Sequence, residues 1–108
     1  MSRVLFAAAM LVLAAGVQAR GSAEAGKAKA AQVCAACHGA DGAKPTAPEN
    51  PILAGQYYDY LVKALSDYKS GKRANALMKG FAEPLSKKEI EDLAAWFASQ
   101  KSNLHFQR

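Results

Sequence analysis

The chain has 108 residues, 14 Lys and Arg against 9 Asp and Glu, a formal charge of +5, and 51% apolar residues. That length holds one domain and is too short for a (β/α)8 barrel or a doubly wound dinucleotide-binding domain. Two cysteines exclude a disulfide-dense scaffold and any four-cysteine zinc or iron–sulfur site. The basic balance suits an acidic partner or surface without choosing one.

The first predicted element is a targeting segment. Met1-Ser2-Arg3 carries a positive charge, Val4 to Ala15 is an unbroken apolar run, and Val17-Gln18-Ala19 places small or modest residues at a cleavage position. This is the layout of a secretory signal peptide. The apolar run falls short of the roughly 20 residues that span a bilayer. The expected organisation is a cleaved signal peptide over residues 1–19, cut after Ala19, and one domain over residues 20–108. Without the leader, 89 residues remain, of which 40 are apolar, and the charge falls to +4 because Arg3 leaves. Eighteen of those 40 are alanine and two are cysteine, so twenty larger apolar side chains must build the core. A domain this small usually needs a staple.

Ser22 caps a predicted helix that runs from about Ala23 into the cysteine motif, with Gly26, Ala30 and Val33 along one side. The motif is Cys34-Ala35-Ala36-Cys37-His38. C-x-x-C alone fits a redox dithiol, half a zinc site, or haem attachment. The dithiol needs a βαβ context, which this chain lacks, and zinc needs two more ligands where only His105 is available. The adjoining His38 favours haem. Two thiols three positions apart on one helical turn reach the two vinyl groups of one porphyrin, and the next imidazole is placed for the iron. Export agrees with this, because such haem is attached outside the cytoplasm. The expected cofactor is one haem c, attached through Cys34 and Cys37 with His38 as proximal ligand.

Gly39 to Gly55 reads as loop. Pro45, Pro48 and Pro51 recur every third residue, which prevents regular helix and favours extended backbone able to wrap a flat cofactor. Tyr57 to Ser70 reads as an amphipathic helix, with Tyr57, Leu61, Ala64 or Leu65, and Tyr68 at a 3.6-residue period and Gly71 as its stop. Asn75 to Phe81 reads as a loop between helical segments. It contains Met78, the one methionine outside the leader. A lone methionine in an arbitrary protein is a flexible core filler. Downstream of a haem motif, in a polar and glycine-punctuated stretch, it is instead the expected sixth ligand. His105, near the C-terminus, is the competing one. Ser86 and Glu89 form a capping box, Leu85 and Ile90 occupy the staple positions, and Pro84 blocks backward extension. Ile90, Leu93, Ala94 and Phe97 form the buried stripe of that last helix. The chain has no internal repeat and no low-complexity tract.

These stretches together resemble class I cytochromes c, specifically the small bacterial cytochrome c553 group and single domains of the dihaem cytochrome c4. The resemblance spans nearly all of residues 23–100. It is carried by residues 34–39, by Pro51-Ile52-Leu53-Ala54-Gly55-Gln56, by Tyr60-Leu61-Val62-Lys63-Ala64-Leu65, and by Leu85 to Ile90 through Ala95-Trp96-Phe97. One departure is size, since the chain holds a single C-x-x-C-H. The resemblance implies an all-α class I cytochrome c fold: three main helices, the first and last crossing, and loops wrapped around one covalently attached haem. It places Gly26 at that crossing, with Trp96 or Phe97 as aromatic partner. It implies a proline carbonyl that accepts the Nδ1–H of His38. Pro48 is the better match and Pro51 the alternative. It also assigns Met78 as distal ligand.

The function implied is a periplasmic one-electron carrier rather than an enzyme, with no catalytic residue. Transient donor and acceptor redox proteins are expected as partners, with a dehydrogenase or a terminal oxidase as candidates. Nucleic acid binding and a membrane span in the mature chain are not expected. Lys72, Arg73 and Lys79 read either as solvated charge or as a basic rim that steers an anionic partner. The rival readings are an electron-transfer subunit of a dehydrogenase complex, and a haem sensor or enzyme with an open sixth site.

Overall fold

The structure, a computed structural model, describes residues 21–101. The expected signal peptide and His105 lie outside the described residues. Among the described residues five helices follow one another: α1 (Ala23–Val33), α2 (Ala35–His38), α3 (Tyr58–Ser70), α4 (Ala76–Ala82) and α5 (Lys87–Ala98). Three of them are long, as expected for an all-α domain, and no strand occurs among the described residues. No helix among the described residues is long and apolar enough to cross a membrane.

The helix ends follow from local chemistry. Ser22 accepts the Ala25 N–H and opens α1. Ser86 and Glu89 form the complete reciprocal capping box at the start of α5, so two orphan donors of that terminus are satisfied by side chains. Gly71 ends α3 in the left-handed region at φ 83°, where a residue with a Cβ is disfavoured. The stretch expected to be a loop around Met78 is helix α4 instead. Asn75 caps it, its side chain accepting the Met78 N–H; the isolated glycine at position 80 masked that signal in the sequence.

α1 and α5 cross in close contact. A Cβ on Gly26 would overlap the Asp92 carbonyl oxygen and lie 2.8 Å from the Cβ of Trp96. Trp96 is therefore the aromatic partner at the crossing, while Phe97 turns into the core. Two polar links pin the pair: the Ser22 N–H donates to Asp92 Oδ1 at 2.7 Å, and Lys29 meets Glu89 at 2.8 Å.

The core consists of Ala30, Leu61, Ala82, Leu85, Ile90, Leu93, Ala94 and Phe97. The expected stripe of α5 is buried in full, and the staple residues Leu85 and Ile90 both lie in the core. The stripe of α3 is shifted at its start: Tyr57 is 55% exposed, and Tyr58 packs on the core in its place. The reason is that Tyr57 caps the helix in extended backbone, so its side chain precedes the helical register. Leu93 is the largest side chain to be fully buried.

Candidate functional site

The end of α1 sets the site. The helix breaks at Cys34, and a single turn, α2, carries Cys37 and His38. The loop that follows is latched back onto this turn. Thr46 N–H donates to the Cys37 carbonyl at 3.0 Å, the Thr46 hydroxyl donates to Ala36 O at 3.1 Å, and the Asn50 amide donates to Cys37 O at 3.1 Å. From the other side, Trp96 Nε1 donates to Ala40 O and Gly55 N–H to Phe97 O. The loop is thereby fixed at both ends, to α2 and to α5.

This path delivers a backbone acceptor to His38. The ring is buried, and its Nδ1 lies 2.9 Å from the Pro51 carbonyl oxygen. That bond sets the neutral ring as the Nδ1–H tautomer and leaves the Nε2 lone pair for a metal. The acceptor is Pro51, not the favoured Pro48. Asn50 N–H closes a tight turn on Ala47 O, which holds Pro48 exposed on the outside of the loop. Pro51 is the first proline beyond the Asn50 latch, so its carbonyl returns to the ring.

His38, Cys34, Cys37, Pro51 and Met78 all line one crevice of about 210 Å³. Pro48 does not. The walls are apolar and include Leu53, Leu61, Leu65, Leu85, Leu93 and Phe97. Only Glu49 and Arg73 among the described lining residues carry charge. The Arg73 guanidinium is held at the rim by two tyrosines: its Nη1 lies 3.3 Å from the Tyr60 hydroxyl, and it stacks 4.8 Å from the centre of the Tyr68 ring. The Tyr60 contact, partly offset by burial, holds it above the ordinary arginine range. Arg73 is one of the three cations expected at a basic rim, whereas Tyr60 and Asn50 are site residues that no local motif marks. Their roles come from the loop path and the fold of α3 over the crevice.

The cysteines are not joined to each other. Burial pushes the Cys34 thiol up to about 11, with Lys29 opposing the rise and Cys37 adding to it. A thiol that stays protonated at neutral pH is the reverse of the depressed thiol of a redox dithiol. Among the described residues, no cluster of three or more His, Cys, Asp or Glu side chains is arranged to hold a metal ion. The residues fit a covalently held haem. Two thiols stand on one helical turn, the neighbouring imidazole offers Nε2, a flat apolar slot holds a thioether sulfur, and one arginine at the rim suits a carboxylate.

Comparison with known proteins gives the family. The family profile described as "Cytochrome c" matches residues 23–101. Cytochrome c4 of Pseudomonas aeruginosa is 54% identical over 86 residues, covering 80% of this chain and 42% of that protein. Cytochrome c-554(548) of Halomonas halodenitrificans is 42% identical over 84 residues, covering 75% of this chain and 99% of that protein. The crystal structure of reduced recombinant cytochrome c4 from Pseudomonas stutzeri matches with a TM-score of 0.70 at 45% identity, over 78% of this chain and 48% of that chain. The fold and site are those of a c-type cytochrome with one covalently attached haem c. The chain belongs to the cytochrome c family, as a single class I domain similar to cytochrome c4. It spans under half the length of the cytochrome c4 relatives it matches.

Proposed function

We propose that this chain is an exported c-type cytochrome that carries single electrons between redox proteins in the periplasm. Residues 1–19 act as a cleaved leader and residues 20–108 form the working domain. The observation that carries the reading is the convergence of Cys34, Cys37, His38 and Met78 on one apolar crevice, with His38 Nδ1 already bonded to Pro51 O. The bound haem supplies a one-electron iron couple. The chain does the rest. Cys34 and Cys37 would hold the haem covalently through their sulfurs, and His38 Nε2 and the Met78 thioether would be its iron ligands. The apolar walls exclude water and so raise the cost of charge at the centre. With His38 and Met78 both engaged as ligands, no ligand position would be left for a substrate, and no residue is assigned as general acid or base. Lys72, Arg73 and Lys79, all exposed, form a basic rim suited to brief docking with an anionic partner.

Absorption spectra of both redox states, with and without carbon monoxide, test the reading. The expected result is haem that acid–acetone does not extract, a Met–Fe(III) charge-transfer band, and no shift with carbon monoxide. Met78→Ala should abolish the band, lower the potential and open the iron to carbon monoxide. An unchanged spectrum in that variant overturns Met78 as ligand, and extractable haem overturns the covalent attachment.

A further inference from the structure

Helix α4 is weak on its own account. It has seven residues, well below the roughly 12–15 at which isolated helices become even marginally stable. Gly80 lies inside it, and a Cβ there would meet nothing within 4 Å. No close packing therefore accounts for the glycine, which weakens a helix interior relative to alanine. Ala82 is its one buried residue. Leu77 is 64% exposed.

Its ends are held by side chains from outside it. At the start, the Asn75 side chain accepts the Met78 N–H at 3.0 Å. At the far end, Lys69 Nζ reaches over from the last turn of α3 and donates to the carbonyls of Glu83 and Leu85, each at 2.6 Å. Glu83 is the C-cap of α4, and Leu85 is a core residue just before α5. One ammonium thus ties the end of α4 and its exit to the rigid α3. Bonds from a charged donor are the stronger kind, and a cation at a helix C-terminus also opposes the helix dipole.

We propose that Lys69 is a positioning residue for Met78: it clamps the weak helix that presents the thioether to the crevice, and so sets how readily that axial position opens. The proposal rests on the reading of Met78 as ligand. Lys69 touches neither the crevice nor the ligand and acts through the backbone of α4. Gly80 works in the opposite sense, keeping α4 dependent on the clamp.

The test uses the haem-loaded chain with Lys69→Met, Lys69→Arg and Gly80→Ala. Two quantities are read: amide hydrogen exchange across residues 76–82 relative to α1 and α5, and the temperature at which the ferric charge-transfer band is lost relative to the far-ultraviolet helix signal. Lys69→Met should speed exchange in α4 about tenfold and leave α1 and α5 unchanged, with the band lost well before the helix signal. Lys69→Arg should restore most of the protection, and Gly80→Ala should slow exchange in α4. Unchanged α4 exchange in Lys69→Met, or equal acceleration in all three helices, overturns the clamp. If the wild-type ferric protein lacks the band, the Met78 reading falls, while the exchange data still decide whether Lys69 holds α4.

Discussion

The chemistry of a site residue depends on which of its atoms is already engaged. His38 has one ring nitrogen bonded to Pro51 O, so in the neutral ring the free lone pair is confined to Nε2. Glu89 shows the same logic in a structural role. The Lys29 ammonium, with the Ser86 N–H of the capping box, pulls its carboxyl down from 4.5 to about 2. A depressed carboxyl adds stability above its unfolded value and loses it as pH falls through the folded value. The thermal midpoint of the protein should therefore drop between about pH 4.5 and about pH 2, and Glu89→Gln should flatten that drop. Asp92 keeps part of the drop in the variant: burial alone would raise its carboxyl, but Lys88 and the Ser22 N–H hold it low. A scan of thermal midpoint against pH for both proteins checks this. At this scale the cysteine and histidine cluster in the crevice wall is legible, because Cys34, Cys37 and His38 lie within five consecutive residues. The carbonyl acceptor is not. Three prolines stand at equal intervals, and the choice among them is made by Thr46 and Asn50 binding Cys37 O, a long-range fold of the loop with no sequence signature.

The helices divide into those specified locally and those held by others. α5 carries its own cap, staple and apolar stripe, all readable in sequence and all present. α4 has only a cap and one buried residue, so periodicity and composition point to loop, and tertiary contacts make it helix. The crossing of α1 and α5 is the tightest element-level constraint. Gly26→Ala would drive a methyl into the Asp92 carbonyl, and the helices must separate to admit it. Overpacking of this kind costs about 1–3 kcal/mol, and the shift would also strain the Ser22–Asp92 and Lys29–Glu89 links. Denaturant unfolding should show Gly26→Ala losing about 2 kcal/mol or more.

Across the described residues, the buried cluster is small and includes three alanines, and many of the other large apolar groups, Leu53, Leu65 and Tyr68 among them, line the crevice. Tyr60, Leu77 and Phe81 are both crevice-lining and well exposed, so the mouth of the site is apolar, with Arg73 as the cation that lines it. Asp67 offsets part of the nearby positive charge. Its carboxyl is lowered by Lys63 first, and by Lys72 and Arg73 after it. Raising salt should slow electron transfer with an anionic redox partner over the range in which the screening length falls below about 10 Å. The slowing should lie in the association rate, as stopped-flow mixing at several ionic strengths would measure. A rate independent of salt would assign Lys72, Arg73 and Lys79 to ordinary solvation.

The latch on the Cys37 carbonyl has a consequence for speed. A Thr46 amide and an Asn50 side chain converge on that one oxygen, and the next residue is the buried histidine whose ring is fixed by Pro51. The wall on that side therefore has its dipoles fixed by bonds within the chain, independently of any bound group. Preorganised polar groups cost no reorganisation at the moment of reaction. The proline loop thus stands where solvent would otherwise have to orient, and a change of charge beside His38 would meet dipoles already in place.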